Sequence, residues 1–433
     1  MLASTTGGPV VGEVTDGVSR FSGIRYGRLA GGRRFDPVAP ATAGSQQDHR
    51  DLPAVFPQLP SRLGAVMGAA IDAHPQEEDA FLLHVWSPMG RSGLPVLVFV
   101  HGGAFISGGS GVRWYDGRVL ARDGDMVVVT VSYRLGPLAH LLLGTDSDPN
   151  RAVGDLLEAL RWVRANIESF GGDPGNITLA GQSAGGFYSQ LLAVQPSSRD
   201  MLRRLFLMSC PGISAASRAA TERLSSEVIA GLRGADPRRV PVEALLASHL
   251  REMIKNSAFG SVATGLMPTI SDTVPDWLDD PPALAEAFQV TDLLITFTHD
   301  ETGAFFFDAP ERQITHDQLR RLHSRAVDAT CDPYEDLVEI STSALFGNHA
   351  RQLATAAAAR GVNTRLREFT AQSPLAGVAS GHCFDLPFLF GNWDDWRDAP
   401  MLMGCDRDQF DEESGQLREV VADLVHGRMN PSG

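Results

Sequence analysis

Ile177-Thr178-Leu179-Ala180-Gly181-Gln182-Ser183-Ala184-Gly185-Gly186 is the stretch on which the reading of this 433-residue chain turns. Its first four residues form a short apolar run of the kind buried in a sheet, and Phe187 to Val194 behind it reads as an apolar helix. Between strand and helix stands G-x-S-x-G. The backbone at such a sharp turn is strained and crowded, so a serine there needs small neighbours. Glycines two before and two after Ser183 meet that need. The turn points the hydroxyl out of the sheet, above a helix N-terminus that favours developing negative charge. A chain this long holds about 0.3 chance matches to the pattern. The strand before it and the helix after it therefore carry the weight.

Working outward, Pro95 to Val100, Met126 to Val131 and Leu293 to Phe297 are further apolar runs without polar alternation. Such runs mark strands covered on both faces. Between them, Leu156, Leu160, Val163 and Ile167 fall at helical spacing, and Phe170-Gly171-Gly172 supplies a stop. Strand, helix and strand in that order predict a mostly parallel sheet with helices on both faces. Near the start, Val10 to Val14 and Val18 to Ile24 around Asp16-Gly17 predict a small antiparallel hairpin. The expectation is one α/β domain over 1–433, with a helical cap or side-wall from about 215–290 and 308–360. Arg218 to Phe259, helical and polar, is a candidate for such a wall or equally for plain packed helices.

His101-Gly102-Gly103-Ala104-Phe105 follows the strand Pro95 to Val100. A glycine-rich turn at a strand end offers backbone N–H groups that a substrate oxygen can approach, as an oxyanion hole requires. The base of a serine nucleophile follows it in chain order in folds of this kind. Of the histidines after Ser183, His382 lies in a loop behind a short strand, Leu366 to Phe369, whereas His316 and His323 flank a charged helical stretch, Gln318 to Arg325, that reads as solvated.

Composition narrows the rest. The 37 basic and 52 acidic residues give a net charge of −15, which disfavours nucleic acid and anionic membranes as partners. The only lysine, Lys255, sits in Met253-Ile254-Lys255-Asn256, so no Walker-type phosphate loop exists. Cys210, Cys331, Cys383 and Cys405 include no C-x-x-C pair, which predicts no zinc or redox site and no dense disulfide framework. Neither a signal-peptide pattern at the start nor a run of 18 apolar residues is visible, so a cytoplasmic location is expected.

The chain resembles the type B carboxylesterase family, the cholinesterase-like and para-nitrobenzyl-esterase-like branch of the α/β-hydrolases. Phe21-Ser22-Gly23-Ile24-Arg25-Tyr26 is similar to the family's F-x-G-I-P-Y-A, and Arg34-Phe35-Asp36-Pro37 to its R-F-x-x-P. Glu78 to Trp86 resembles E-D-C-L-x-L-N-V-W. Tyr133 to Gly136, Ala159 to Val163 and Asn166 to Pro174 resemble further blocks. The likeness runs from near residue 10 to about residue 430. It implies an α/β-hydrolase fold, with Ser183 as nucleophile and the N–H groups of Gly103, Ala104 and Ala184 as the oxyanion hole. Gly381-His382-Cys383-Phe384-Asp385-Leu386-Pro387-Phe388 resembles H-x-x-E-L-P-F and implies His382 as base. His299-Asp300-Glu301-Thr302-Gly303 resembles D-E-G-x-x-F and implies Glu301 as the acid, with Asp300 a structural neighbour.

Some positions depart from the family. Gln182 stands where a glutamate is usual, which removes a negative charge from beside the base. Phe56 and Ala80 replace the cysteines of the family's first disulfide, in keeping with a reducing compartment. The resemblance implies a serine carboxylic-ester hydrolase working through an acyl-enzyme on a small-molecule ester, with no metal or organic cofactor. Two alternatives stay open: a lactone hydrolase, transacylase or cyclase of a specialised pathway, and a non-catalytic cholinesterase-like binding protein. Phe105, Trp277 and Phe306 are candidate pocket walls. Oligomeric state is not readable from the sequence.

Overall fold

Leu94–Val100 carries seven buried residues in succession, and so long an apolar run is stable only with helices against both its faces. A computed structural model of the chain describes residues 1–44, 47–144, 147–262, 265–323 and 331–430. Nine strands there form one sheet: β1 (Glu13–Thr15), β2 (Val18–Arg25), β3 (Leu82–Pro88), β4 (Leu94–Val100), β5 (Val127–Val131), β6 (Gly172–Gln182), β7 (Arg204–Met208), β8 (Asp292–Thr298) and β9 (Asn363–Phe369). Their spatial order is β9-β8-β7-β6-β4-β5-β3-β2-β1. All pairings from β9 to β5 are parallel, and those from β5 to β1 are antiparallel. The sheet is thus mostly parallel with an antiparallel N-terminal end, as expected.

The two-residue period of the strands divides the core. Val96, Val98 and Val100 join one buried cluster, and Leu97 and Phe99 the other. On the first face pack α3 (Arg151–Asn166), α4 (Ala184–Val194), α7 (Pro281–Ala287) and α8 (Asn348–Ala359). On the second face pack α1 (Arg118–Gly124), α9 (Leu386–Phe390) and the long α10 (Arg407–His426). The remaining helices of interest are α2 (Gly136–His140), α5 (Arg218–Ala230) and α6 (Val242–Lys255). The two expected wall regions, 215–290 and 308–360, therefore hold helices, but α7 and α8 within them belong to the sheet-covering layer. Residues 263–264 and 324–330 of these regions, Arg325 included, lie outside the described residues.

The N-terminal hairpin differs in detail from the expectation. β1 and β2 do turn at Asp16 and Gly17, with φ of 51° and 75°, which suits a tight two-residue turn. Val10 instead belongs to a separate antiparallel pair, Leu2–Thr5 with Gly8–Val11. The break falls at Gly12, where a Cβ would overlap the Phe21 ring. Phe56 and Ala80, in place of the family's cysteines, are 1% and 0% exposed, and Phe56 meets Phe81 edge-on at 5.1 Å. Apolar packing fills that position. No described helix is long and apolar enough to cross a membrane.

Candidate active site

The C-terminal ends of β4, β6, β8 and β9 bring the candidate residues to one edge of the sheet. Ser183 follows β6 directly and caps α4, with φ 55° and ψ −121°. Its N–H is pinned to Met208 O at 2.8 Å, at the end of β7. The flanking glycines are needed for space. A Cβ on Gly181 would overlap the Gly185 carbonyl oxygen, and one on Gly185 would overlap that of Val100. The strained turn leaves Ser183 half-buried and lining a pocket.

The loop after β4 is equally unusual. Gly103, Ala104 and Phe105 have φ of 118°, 53° and 65°, two of them on residues with side chains. His101 stacks on Tyr133 at 4.5 Å, and its Nδ1 lies 2.8 Å from Gly102 O. Burial pulls its pKa down to about 4, so it stands there neutral. Gly103 O accepts from the N–H groups of Ile106 and Ser107, both at 3.0 Å. Among the described residues, the N–H groups of Gly103, Ala104 and Ala184 have no acceptor. That is the state required of donors awaiting a substrate oxygen.

His382 and Glu301 are 2% and 0% exposed. Glu301 Oε2 hydrogen-bonds His382 Nδ1, Glu301 Oε1 accepts from Thr298 N at 2.9 Å, and His382 N–H donates to Glu301 O at 3.0 Å. Phe305 and Phe346 flank the imidazole at 5.2 and 5.1 Å. Asp300 Oδ2 accepts from Ser380 N at 3.1 Å and so ties the loop of Glu301 to that of His382. His299 points outward to Glu368 at 2.6 Å. His323 departs from expectation: its Nε2 is buried, not solvated.

Ser183, His382, Gly103 and Ala104 line the same pocket. Ser183 Oγ nevertheless makes no hydrogen bond among the described residues. The site facing His382 Nε2 is taken by Gln182 Nε2 at 3.2 Å, and the same amide reaches Cys383 Sγ at 3.3 Å. The side chain that stands where the family has a glutamate thus occupies Nε2 of the His382 imidazole. In unliganded hydrolases a serine–histidine bond is often long or absent and tightens with substrate.

The pocket has a volume of about 50 Å³, and its walls include Leu63, Met67, Ile71, Trp114, Tyr115 and Phe305. Two of the expected wall residues are core instead. Phe105 packs edge-on against Phe187 and Tyr188, and Phe306 joins a buried cluster with Leu319 and Leu337. Trp277 packs against the main core. The one-residue error from Phe306 to Phe305 follows from the short helix Gly303–Phe306, where neighbours point about 100° apart. Trp114 and Tyr115 carry no local signal; they come from a glycine-flanked turn nine residues beyond the His101 to Phe105 loop.

A second feature was not foreseen. Asp385 is 1% exposed, and neither carboxyl oxygen meets another residue's donor among the described residues. Burial, reinforced by the charge of Glu301, raises its pKa to about 8. The Cys383 thiol is pushed well above its usual value by burial, with Asp385 and Glu301 adding.

A serine at a strained strand-to-helix turn, a buried histidine–carboxylate pair and unoccupied loop amides define an α/β-hydrolase enzyme. Comparison with known proteins narrows this class. A profile of the carboxylesterase family matches residues 2–331. The chain is 33% identical to the probable N-octanoylanthranilate hydrolase of Rhodococcus erythropolis, over 97% of this chain and 91% of that one. It is 31% identical to phenmedipham hydrolase of Pseudarthrobacter oxydans, over 94% and 86%. A solved thermophilic para-nitrobenzyl esterase superposes with a TM-score of 0.82 at 25% identity, covering 100% of this chain and 92% of that chain. The chain belongs to the carboxylesterase family, and it is a carboxylesterase acting on small-molecule esters.

Proposed function

We propose that Ser183 is the nucleophile of this carboxylesterase, His382 its general base and Glu301 the acid that orients the base. The observation carrying the reading is the buried Glu301–His382 pair opening, with Ser183, onto one pocket. Substrate entry lets Ser183 Oγ take the place of Gln182 Nε2 at the imidazole. His382 accepts the hydroxyl proton as Oγ attacks the acyl carbon. Glu301 keeps Nδ1 as the protonated nitrogen and stabilises the imidazolium that forms. The N–H groups of Gly103, Ala104 and Ala184 hold the tetrahedral oxyanion. The imidazolium returns its proton to the leaving alcohol, and water, activated by the same base, cleaves the acyl-enzyme.

The apolar walls supplied by Met67, Ile71, Trp114 and Phe305 favour a compact acyl or alcohol group with an apolar body. Helices α5 and α6, packed through Val228 and Leu245 on Leu138 of α2, form a side-wall in this reading that stands outside the lining of the pocket at Ser183. Four unpaired thiols and the filled disulfide position support a reducing, cytoplasmic setting. Hydrolysis of p-nitrophenyl esters of increasing chain length by Ser183→Ala, His382→Ala and Glu301→Gln tests the assignment. Each of the first two variants is expected to lose ~10³-fold or more in kcat, with Glu301→Gln losing less. Parent-like turnover by folded Ser183→Ala refutes it.

A further inference from the structure

Three arginines are buried among the described residues: Arg134, Arg151 and Arg204, at 1%, 4% and 5% exposure. Two have a carboxylate. Arg134 Nη2 lies 2.6 Å from Asp155 Oδ1, and Arg204 Nε lies 3.1 Å from Asp292 Oδ2. Arg151 has none at ion-pair distance. Its Nε–H donates to Phe35 O at 3.3 Å, and its Nη1–H to Ala139 O at 3.3 Å and Leu141 O at 3.1 Å. The guanidinium also lies 5.1 Å from the Phe35 ring centre. Carbonyl oxygens satisfy N–H groups but bring no net charge, and Asp148 and Asp155 act on the cation only from beyond ion-pair distance, so its burial is costly. Burial, with the charge of Arg134 adding, draws the Arg151 pKa down to about 10.

Arg151 lines a surface cavity of about 480 Å³ with Arg33, Arg34, Phe35, Asp36 and Arg238. It shares no lining residue with the pocket at Ser183. The other charges there are already engaged: Arg34 by Glu78 at 2.7 Å, and Asp36 by Arg33 at 3.3 Å. Asp148, also on the wall, is turned to Asn150 N at 2.7 Å. Arg238 is 57% exposed and reaches Asp236 only at 3.8 Å. In a chain of net charge −15, four of the ten described residues that line this cavity are arginines. The volume falls in the range of small-molecule sites, and the Phe35 ring offers an apolar wall.

We propose that this cavity binds a small anionic molecule, whose phosphate or carboxylate group meets Arg151 from the open side. Arg238 closes over the anion at the rim, and the body of the ligand lies along Phe35. A guanidinium fork suits both oxyanions, because each offers two oxygens to parallel N–H donors.

Calorimetric titration of the full chain with inorganic phosphate, and separately with benzoate, at constant ionic strength tests this and distinguishes the two head groups. The expected result is saturable one-site binding of at least one of them. That binding should weaken tenfold or more in Arg151→Met and severalfold in Arg238→Gln, with unchanged circular dichroism. Absence of saturable binding for both anions overturns the proposal, as does parent-like affinity in folded Arg151→Met. Should Arg151→Met not fold, Arg238→Gln decides, since it alters an exposed side chain: affinity equal to the parent's overturns the proposal.

Discussion

Asp385 is the residue whose chemistry can be read most directly in solution. Buried without a donor from another described residue, it holds its proton up to about pH 8 in the folded chain. An unfolded aspartate releases it near pH 3.9. Between these values the folded state binds the extra proton, so this group's contribution to stability is full below about pH 4 and falls as pH rises toward 8. The slope for one such group is about 1.4 kcal/mol per pH unit. Asp385→Asn removes the titration. Thermal melts between pH 5 and 8 should therefore show the variant gaining on the parent as pH rises; parallel curves would contradict the assignment. Other residue-scale features were legible only through motif. Glu301 and Asp300 stand side by side, and only the resemblance separates them in sequence. The contact between Gln182 and His382 depends on where the loop after β9 folds back, 200 residues away, and nothing local announces it.

At the scale of elements, long unbroken apolar runs were legible as strands, the edge strand β9 only over Leu366 to Phe369, and β7 was missed. Leu94–Val100 and Val127–Val131 are continuous apolar runs, and their strand character follows from composition alone. Arg204–Met208 is equally buried, but it begins on an arginine whose charge is met by Asp292, a pairing invisible in sequence. β9 reads Asn-Thr-Arg-Leu-Arg-Glu-Phe because it is the sheet's edge, half open to solvent, so its pattern is blurred. Two glycines test how tightly the elements around Ser183 are built. Gly185→Ala drives a Cβ into the Val100 carbonyl, joining α4 to β4 too closely, and should destabilise by about 2–4 kcal/mol in denaturant unfolding. Gly154→Ala, inside α3 with nothing within 4 Å of the new Cβ, should stabilise by about 0.5–1 kcal/mol. The opposite order of the two would contradict the packing described for the turn.

At the scale of the molecule, long-range polar ties hold the N-terminal segment to the sandwich. Arg134 is fixed by Asp155 from α3, and its Nη1–H donates to Asp36 O at 2.7 Å. Asp155→Ala leaves that guanidinium buried without its counter-charge, at a cost of about 3–5 kcal/mol. Its unfolding midpoint should drop sharply, whereas an exposed pair such as Arg407–Asp411 should contribute about 0–1 kcal/mol. Equal effects from both would remove the argument. The order of strands, with their crossover helices, was legible as a class because alternating apolar runs and helical periods leave few topologies. The shape of the pocket was not. Its walls come from Leu63, Trp114 and Phe305, three segments far apart in the chain, joined only by the completed sheet edge.

The most direct measurement is peptide mapping after reaction with a phosphonate ester, which traps whichever hydroxyl the oxyanion donors and the base activate. One phosphonyl group per chain on Ser183, with none on folded Ser183→Ala or His382→Ala, is the result expected. An adduct on another residue, or parent-like labelling of Ser183 after loss of His382, would contradict the account.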